Sequence, residues 1–166
     1  MKYTKHAKGF GKTTKTREHD RLVIGVVPDG SDNPNESRWS YTVPTDDREP
    51  VLLTGYPGRT ASWLLNHLGD DLRAGRLRRP TTVGVPETHH GYLGADGEIP
   101  LRLTLLSGNQ ALNSAEYLTC QANPSLPVVM VTLPDPKGRW PEDEGCDDRV
   151  RVGAQVLEAV LAPEDR

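Results

Sequence analysis

Two adjacent histidines, His89 and His90, are the side chains best suited to acid–base or ligand chemistry near neutral pH, because an imidazole titrates in that range. Glu87 precedes them and Tyr92 follows them in a glycine-containing stretch. Neighbouring side chains diverge, so a single site could use only one of the two rings. The simplest interpretation is a pair of exposed loop histidines. The functional alternative is that this stretch lines a site for a polar or anionic ligand.

A second candidate set follows the last predicted strand, where Asp135 and Gly138 favour a tight turn. Trp140 precedes a proline, which holds it extended so that it could pack back on the core. Asp135, Arg139 and Trp140 are therefore candidate binding residues, and each could equally serve packing. Arg59 joins them, because arginines such as Arg59 and Arg139 could clamp a phosphate group.

No assembled catalytic set accompanies these residues. The chain has no Gly-x-Ser-x-Gly elbow, residues 11–13 match only the end of a phosphate-binding loop, and the acidic stretch 135–148 lacks calcium-loop spacing. The sequence therefore predicts neither a metal site nor a cofactor. The two cysteines, Cys120 and Cys146, are expected to be reduced thiols.

The charge is distributed unevenly along the chain. The net charge is −3, but residues 1–19 carry six Lys or Arg side chains against one Glu, or +5, which leaves −8 for the remainder. Such a basic arm could contact nucleic acid or an acidic partner, and a disordered, solubilising tail is the preferred interpretation. After Lys15 nearly every basic residue is Arg, which hints at a GC-rich genome, actinobacterial or of a phage of such a host.

Hydrophobic patterning predicts the elements that must position the candidate residues. Apolar runs and alternation predict strands over residues 21–27, 38–43, 50–56, 101–106 and 128–133, with a short strand at 81–85. Helical spacing of Ala61, Leu64, Leu65, Leu68 and Leu72 predicts a helix with Thr60 as its N-cap and Gly75 as its end. A shorter helix is expected over 110–120, loops over 87–98 and 134–149, and an ambiguous segment over 150–161.

These elements predict an α/β or α+β fold: a single compact domain over residues 20–162, with a mixed sheet of about five to six short strands and two or three helices. The basic residues 1–19 are expected to form a flexible N-terminal arm. No apolar run approaches the roughly 20 residues that cross a bilayer, and no secretory signal is recognisable. A cytoplasmic location is therefore expected.

Two segments carry a family resemblance. The aromatic-Ser-Tyr-Thr-Val sequence at 39–43 and the strand at 130–133 that leads into Pro134-Asp135 and then residues 137–141 resemble motifs of the domain-of-unknown-function family numbered 4262. The helix around Leu64, the glycine at Gly75 and Gln155 are similar to further family positions. The resemblance covers about residues 20–157. It implies a compact α/β domain found in bacteria and phages, without an assigned reaction.

From these observations we expect a non-enzymatic binding or inhibitor protein that acts on a host protein or a small ligand, encoded by a phage or mobile element. One alternative is a sponge that sequesters a nucleotide signal through Arg59 and Arg139. The other is a small hydrolase that uses His89 or His90 as a base near Glu87 or Asp135. Nucleic acid bound by the arm is a less favoured partner, and no membrane contact is expected.

Overall fold

Runs of β-branched and aliphatic residues form the sheet on which the structure is built. A computed structural model of the chain describes residues 2–6, 21–27, 39–55, 58–93, 99–107 and 126–152. One long helix, α1, spans Gly58–Ala74. The strands are β1 (Lys2–His6), β2 (Leu22–Val27), β3 (Trp39–Val43), β4 (Val51–Thr54), β5 (Glu87–Leu93), β6 (Ile99–Leu105) and β7 (Val128–Thr132).

The seven strands form one mixed sheet in the order β1-β2-β3-β4-β7-β6-β5. Neighbouring strands are antiparallel except for β4 and β7, which run parallel with Val51 opposite Val128 and Thr54 opposite Val131. This parallel pair lies at the centre of the sheet. Helix α1 follows β4 and packs against β2, β3 and β4.

Each face of the sheet has its own apolar cluster, because side chains alternate along a strand. The leucines that predicted the helix, Leu64, Leu65 and Leu68, are fully buried in the cluster between α1 and the sheet. The opposite face has a second cluster around Trp39 and Tyr41, whose ring centroids are 5.5 Å apart. Strand residues of the first cluster are Val23, Leu52, Leu101, Leu103, Val129 and Val131, and those of the second include Ile24, Val51, Leu53 and Val128.

A fully buried arginine joins the helix to the sheet. Arg21 precedes β2, and its Nε and Nη2 atoms donate to the two carboxylate oxygens of Glu49 at 2.7 and 2.8 Å. Nη2 also donates to Asp70 Oδ1 at 2.8 Å, and Nη1 donates to the main-chain oxygen of Asn66 at 2.6 Å. A side chain at Gly69 would force the guanidinium to move, because its Cβ would lie 2.6–2.8 Å from three guanidinium atoms. The glycine thus lets the guanidinium lie against the helix.

A second ion pair attaches the loop between β3 and β4 to the end of α1. Arg73 donates through both terminal nitrogens to the carboxylate of Asp46, which also accepts the backbone N–H of Arg48 at 3.0 Å. These bonds, that of Arg73 foremost, hold the pKa of Asp46 well below its ordinary value. The helix then ends at Gly75, whose φ of +76° is the left-handed conformation typical of a C-terminal glycine.

The predicted fold class, an α+β domain with a mixed sheet, is confirmed. The sheet has seven strands where five to six were expected, and residues 148–152 are helical in addition to α1. Helix α1 begins at Gly58, so Thr60 lies in its first turn and is not the N-cap. The helix predicted over 110–120 lies outside the described residues, as does 153–161.

Two polar segments that the sequence analysis assigned to irregular chain are strands. Glu87–Leu93 form β5, not a loop, and Lys2–His6 form β1 within the segment expected to be a flexible arm. Both are edge strands, paired through their backbones to one neighbour, so neither needs the apolar pattern of a central strand. By contrast, residues 81–85 contribute only an isolated bridge between Val83 and Leu105.

Within the described ranges, α1 included, no helix combines the length and the apolar character required to cross a membrane.

The Gly69→Ala variant tests the packing of the arginine. Alanine normally stabilises a helix by up to about 1 kcal/mol relative to glycine. Here we expect the opposite sign, a loss of about 1–3 kcal/mol in the free energy of unfolding, because the new methyl group must displace Arg21. Urea denaturation measures the change. In an Arg21→Ala background the same substitution should lose its penalty, and an unchanged penalty there would contradict this packing.

Candidate functional site

The loop after β7 is organised around one buried carboxylate. Asp135 Oδ1 accepts the backbone N–H groups of Lys137 at 2.9 Å and Arg139 at 2.8 Å. Asp135 Oδ2 accepts the backbone N–H of Asp147 at 3.1 Å and Arg139 Nε at 3.0 Å. Both oxygens therefore accept two hydrogen bonds. The side chain holds together the two ends of a loop that we define as residues 135–147 and call the Asp135 loop.

Backbone hydrogen bonds also stabilise the turn at the start of the loop. The Asp135 N–H donates to the carbonyl of Arg139 at 2.8 Å, and the Gly138 N–H donates to the carbonyl of Asp135 at 2.9 Å. Gly138 adopts a φ of +81°, a conformation that glycine reaches without steric penalty. The Asp and Gly of the sequence motif are thus explained by the turn they form.

The hydrogen bonds determine the protonation state of Asp135. Burial by itself opposes ionisation, but the backbone N–H groups of Arg139, Asp147 and Lys137 and the Arg139 side chain lower the pKa to about 2. The group is therefore a carboxylate throughout the neutral range. It is also a weak base, because a base works best when its pKa lies near the operating pH.

Arg139 and Cys146 lie on the inner side of the same loop. The buried Cys146 Sγ lies 3.5 Å from the carbonyl oxygen of Arg139, to which it donates. Burial, followed by the negative charge of Asp135, raises the pKa of this thiol, so it is a poor nucleophile at neutral pH. A Cβ on Gly145 would lie 2.8 Å from Arg139 Nη1, so the guanidinium lies against the backbone of the loop at this glycine, while 38% of the Arg139 side chain stays exposed.

Trp140 turns outward from the loop onto the neighbouring strand β6. The Arg102 guanidinium carbon lies 3.8 Å from the centre of a Trp140 ring, in cation–π geometry. Arg102 Nη1 also donates to Glu142 Oε1 at 2.5 Å. The indole is further positioned by its backbone, since the Trp140 N–H donates to Asp143 Oδ2 at 2.8 Å and its carbonyl accepts the Asp143 N–H at 2.9 Å.

His89 is on the α1 side of the sheet. It pairs in register with Leu101, and its side chain shares this face with that of Glu87. His89 is therefore not on the face of Arg102, which alternates with Leu101 and Leu103 on β6. His90 is exposed, and the register between β5 and β6 shifts beyond His89.

Only some of the predicted site residues lie close together in the structure. Asp135, Arg139 and Trp140 share one loop, as their sequence proximity required. Arg59 lies in the first turn of α1 and Tyr92 in β5, and neither side chain is among those described. The binding roles of these residues stay predictions.

Arg102 and Glu142, which complete the surface around Trp140, were not among the predicted site residues. The only available signal was the polar position of Arg102 between Leu101 and Leu103 in an alternating strand. That pattern predicts which face the arginine occupies, but not that a residue 38 positions later packs against it.

The described residues, Asp135 and both histidines included, contain no cluster of three or more His, Cys, Asp or Glu that could hold a metal ion. The only cysteine among them, Cys146, is a free thiol. The chemistry that this part of the molecule displays is hydrogen bonding, stacking and ion pairing.

The Asp135→Asn variant tests the anchoring role of the carboxylate. Because the folded pKa of about 2 lies below the usual 3.8, the ionised carboxylate stabilises the fold above pH 4, and this contribution is lost as the pH falls toward 2. We therefore expect Asp135→Asn to be less stable than the parent at pH 7, with a difference that shrinks from pH 4 to pH 2. Urea denaturation across this range measures it. Asp148→Asn is the control, because that side chain is 94% exposed and should show no such trend.

Comparison with known families gives one match. The profile of the family described as domain of unknown function (DUF4262) matches residues 15–147, four-fifths of the chain. Neither the curated proteins nor the solved structures provide a significant match. The matched region includes β2 to β7, α1 and the Asp135 loop, and it bears out the resemblance seen in the sequence. The chain therefore belongs to the domain-of-unknown-function family DUF4262.

Proposed function

We propose that this chain is a non-enzymatic, cytoplasmic binding protein that recognises a partner protein through the surface formed by Trp140, Arg102 and Glu142. The observation that carries the proposal is the stacking of Arg102 on Trp140 at 3.8 Å, on a loop fixed by Asp135. Tryptophan and arginine are the residues most often found at the energetic centres of protein interfaces. We call this surface the Trp140 surface.

The rigidity of the Asp135 loop supports recognition. Asp135 accepts four hydrogen bonds. Asp143 accepts the Trp140 N–H and donates its own N–H to the Trp140 carbonyl, so the backbone at Trp140 is defined before any partner arrives. Binding then immobilises few additional groups, and less conformational entropy is lost on association. A half-buried tryptophan offers a large apolar area on such a platform.

The charge around the Trp140 surface indicates the chemistry of the partner. Residues 142–148 contain five carboxylates and no basic residue, and the acidic side chains in this stretch are exposed. Electrostatic complementarity favours a partner with basic side chains around an apolar group that covers the indole. A host protein is the partner class we propose, consistent with an origin in a phage or mobile element of an actinobacterium.

The two other functions that the sequence leaves open have less geometric support. A hydrolase that uses His89 or His90 as a base with Asp135 as its partner needs a carboxylate oxygen free to accept from the imidazole, but each Asp135 oxygen already accepts two hydrogen bonds. A nucleotide sponge that clamps phosphate with Arg139 has less support, because the charge of this guanidinium is already paired with the Asp135 carboxylate through Nε.

Trp140→Ala tests the proposal against Trp63→Ala as its matched control. Trp63 is also exposed, at 47%, but it lies on α1 and stacks on His67. The tagged parent and both variants are used to capture proteins from a lysate of the native host cell, with quantitative mass spectrometry. We expect a protein retained by the parent and Trp63→Ala but at least ten-fold depleted with Trp140→Ala, as truncation of a central anchor predicts.

Measurement of the Kd for the purified partner then tests whether the Trp140 surface is the binding surface. Trp140→Ala should weaken the Kd at least ten-fold, and Arg102→Met, which leaves the loop anchors in place, should weaken it in the same direction. Binding should also weaken with added salt, since the surface is acidic. Equal losses with Trp63→Ala, or an affinity unaffected by Trp140→Ala, would contradict the proposed surface. Release of an intact nucleotide from the denatured parent would instead support the sponge.

A further inference from the structure

Strand β5 forms one edge of the sheet, and in the part of the chain that the structure describes it is paired with β6 alone. Along an edge strand, alternate residues direct their backbone N–H and C=O groups away from the sheet, where a further strand can pair with them. Thr88 and His90 are exposed at this edge. The backbone of β5 is therefore able to accept an added strand.

The same edge continues into the turn before β5, where two valines are exposed. Leu105 at the end of β6 pairs with β7 on one side and bridges to Val83 on the other, and its carbonyl accepts the Gly84 N–H at 2.8 Å. Residues 83–85 therefore lie on the β5 side of β6. Val83 is 52% exposed and Val85 is 49% exposed, so a strand added at this edge would have apolar side chains to cover.

The charge of the β5 edge distinguishes it from the opposite edge of the sheet. With histidine counted as neutral, residues 80–93 contain one charged residue, Glu87, in a chain in which 26% of residues are charged. Glu87 is paired with Arg78 at 3.3 Å. Strand β1 at the other edge contains Lys2 and Lys5, and lysines on an edge oppose its pairing with a second copy, because like charges would meet. Two β5 edges meet without such repulsion, which makes this edge complementary to itself.

We infer that the β5 edges of two copies of this chain pair antiparallel about a two-fold axis and form a homodimer with one continuous sheet. In such a self-complementary pair the turn at 83–85 of each copy lies beside the C-terminal half of β5 in the other. Pro86 has no N–H to donate, and the register with β6 shifts beyond His89, so the regular part of the edge is short. The dimer therefore belongs to the class of small, reversible interfaces.

Sedimentation velocity of the full chain over a wide range of concentrations tests this dimer. We expect the parent to change from monomer to dimer as its concentration rises. Val85→Lys and Thr88→Lys each introduce a charge that meets its own copy across the axis, and each should weaken dimerisation at least ten-fold. Val152→Lys is the matched control, because this valine is 54% exposed, changes the net charge equally and lies outside the sheet. It should keep the parent affinity within two-fold.

Hydrogen exchange shows whether the contact is at the β5 edge. Backbone amides of residues 87–90 should exchange more slowly at high than at low concentration of the parent, because pairing protects the outward N–H groups. In Thr88→Lys this dependence on concentration should disappear, while the Tm stays that of the parent monomer. A parent that remains monomeric up to millimolar concentration would overturn the inference. So would a dimer that leaves exchange at 87–90 unchanged, or one weakened as much by Val152→Lys as by Val85→Lys.

Discussion

The buried guanidinium of Arg21 is the constraint on which the arrangement of helix and sheet depends. Removing a charge from water costs several kcal/mol, and the penalty is offset only when every donor is used. Here the guanidinium donates to Glu49 on the loop before β4, and to Asp70 and Asn66 on α1. These bonds join α1 to the chain segments before β2 and β4. They hold the helix over the apolar cluster that it covers.

The same use of charge recurs at the other end of the sheet. Asp135 has a pKa well below its ordinary value and Cys146 a raised one, and perturbed groups of this kind often mark catalytic sites. In this chain the causes are structural: four hydrogen bonds fix the carboxylate, and burial suppresses the thiolate. Ionisation is thus used to hold a loop that presents Trp140.

The predictable parts of the molecule are those encoded by local patterns. The leucine spacing of α1, the apolar run of β7 and the Asp–Gly turn after it were predicted correctly, because each depends on residues within a few positions of one another. Strand β5 was not predicted, since Glu87–Leu93 has no apolar alternation and forms through pairing with β6. The stacking of Arg102 on Trp140 joins two distant segments, and neither segment alone encodes it. The loop that carries the candidate site was therefore predicted, but the contact of its tryptophan with a neighbouring strand was not.

The parallel pairing of β4 with β7 has a consequence for how the chain folds during synthesis. Thr54 Oγ1 donates to the carbonyl of Val131 across a separation of 77 residues. Contacts of such high sequence separation form slowly, because a long loop must close before they add any stability. A ribosome that has released β4 must therefore extend the chain through β5 and β6 before β7, the second neighbour of β4, exists. Until then the apolar edge of β4 at the centre of the future sheet is open, which makes this strand the part of the nascent chain most in need of a chaperone.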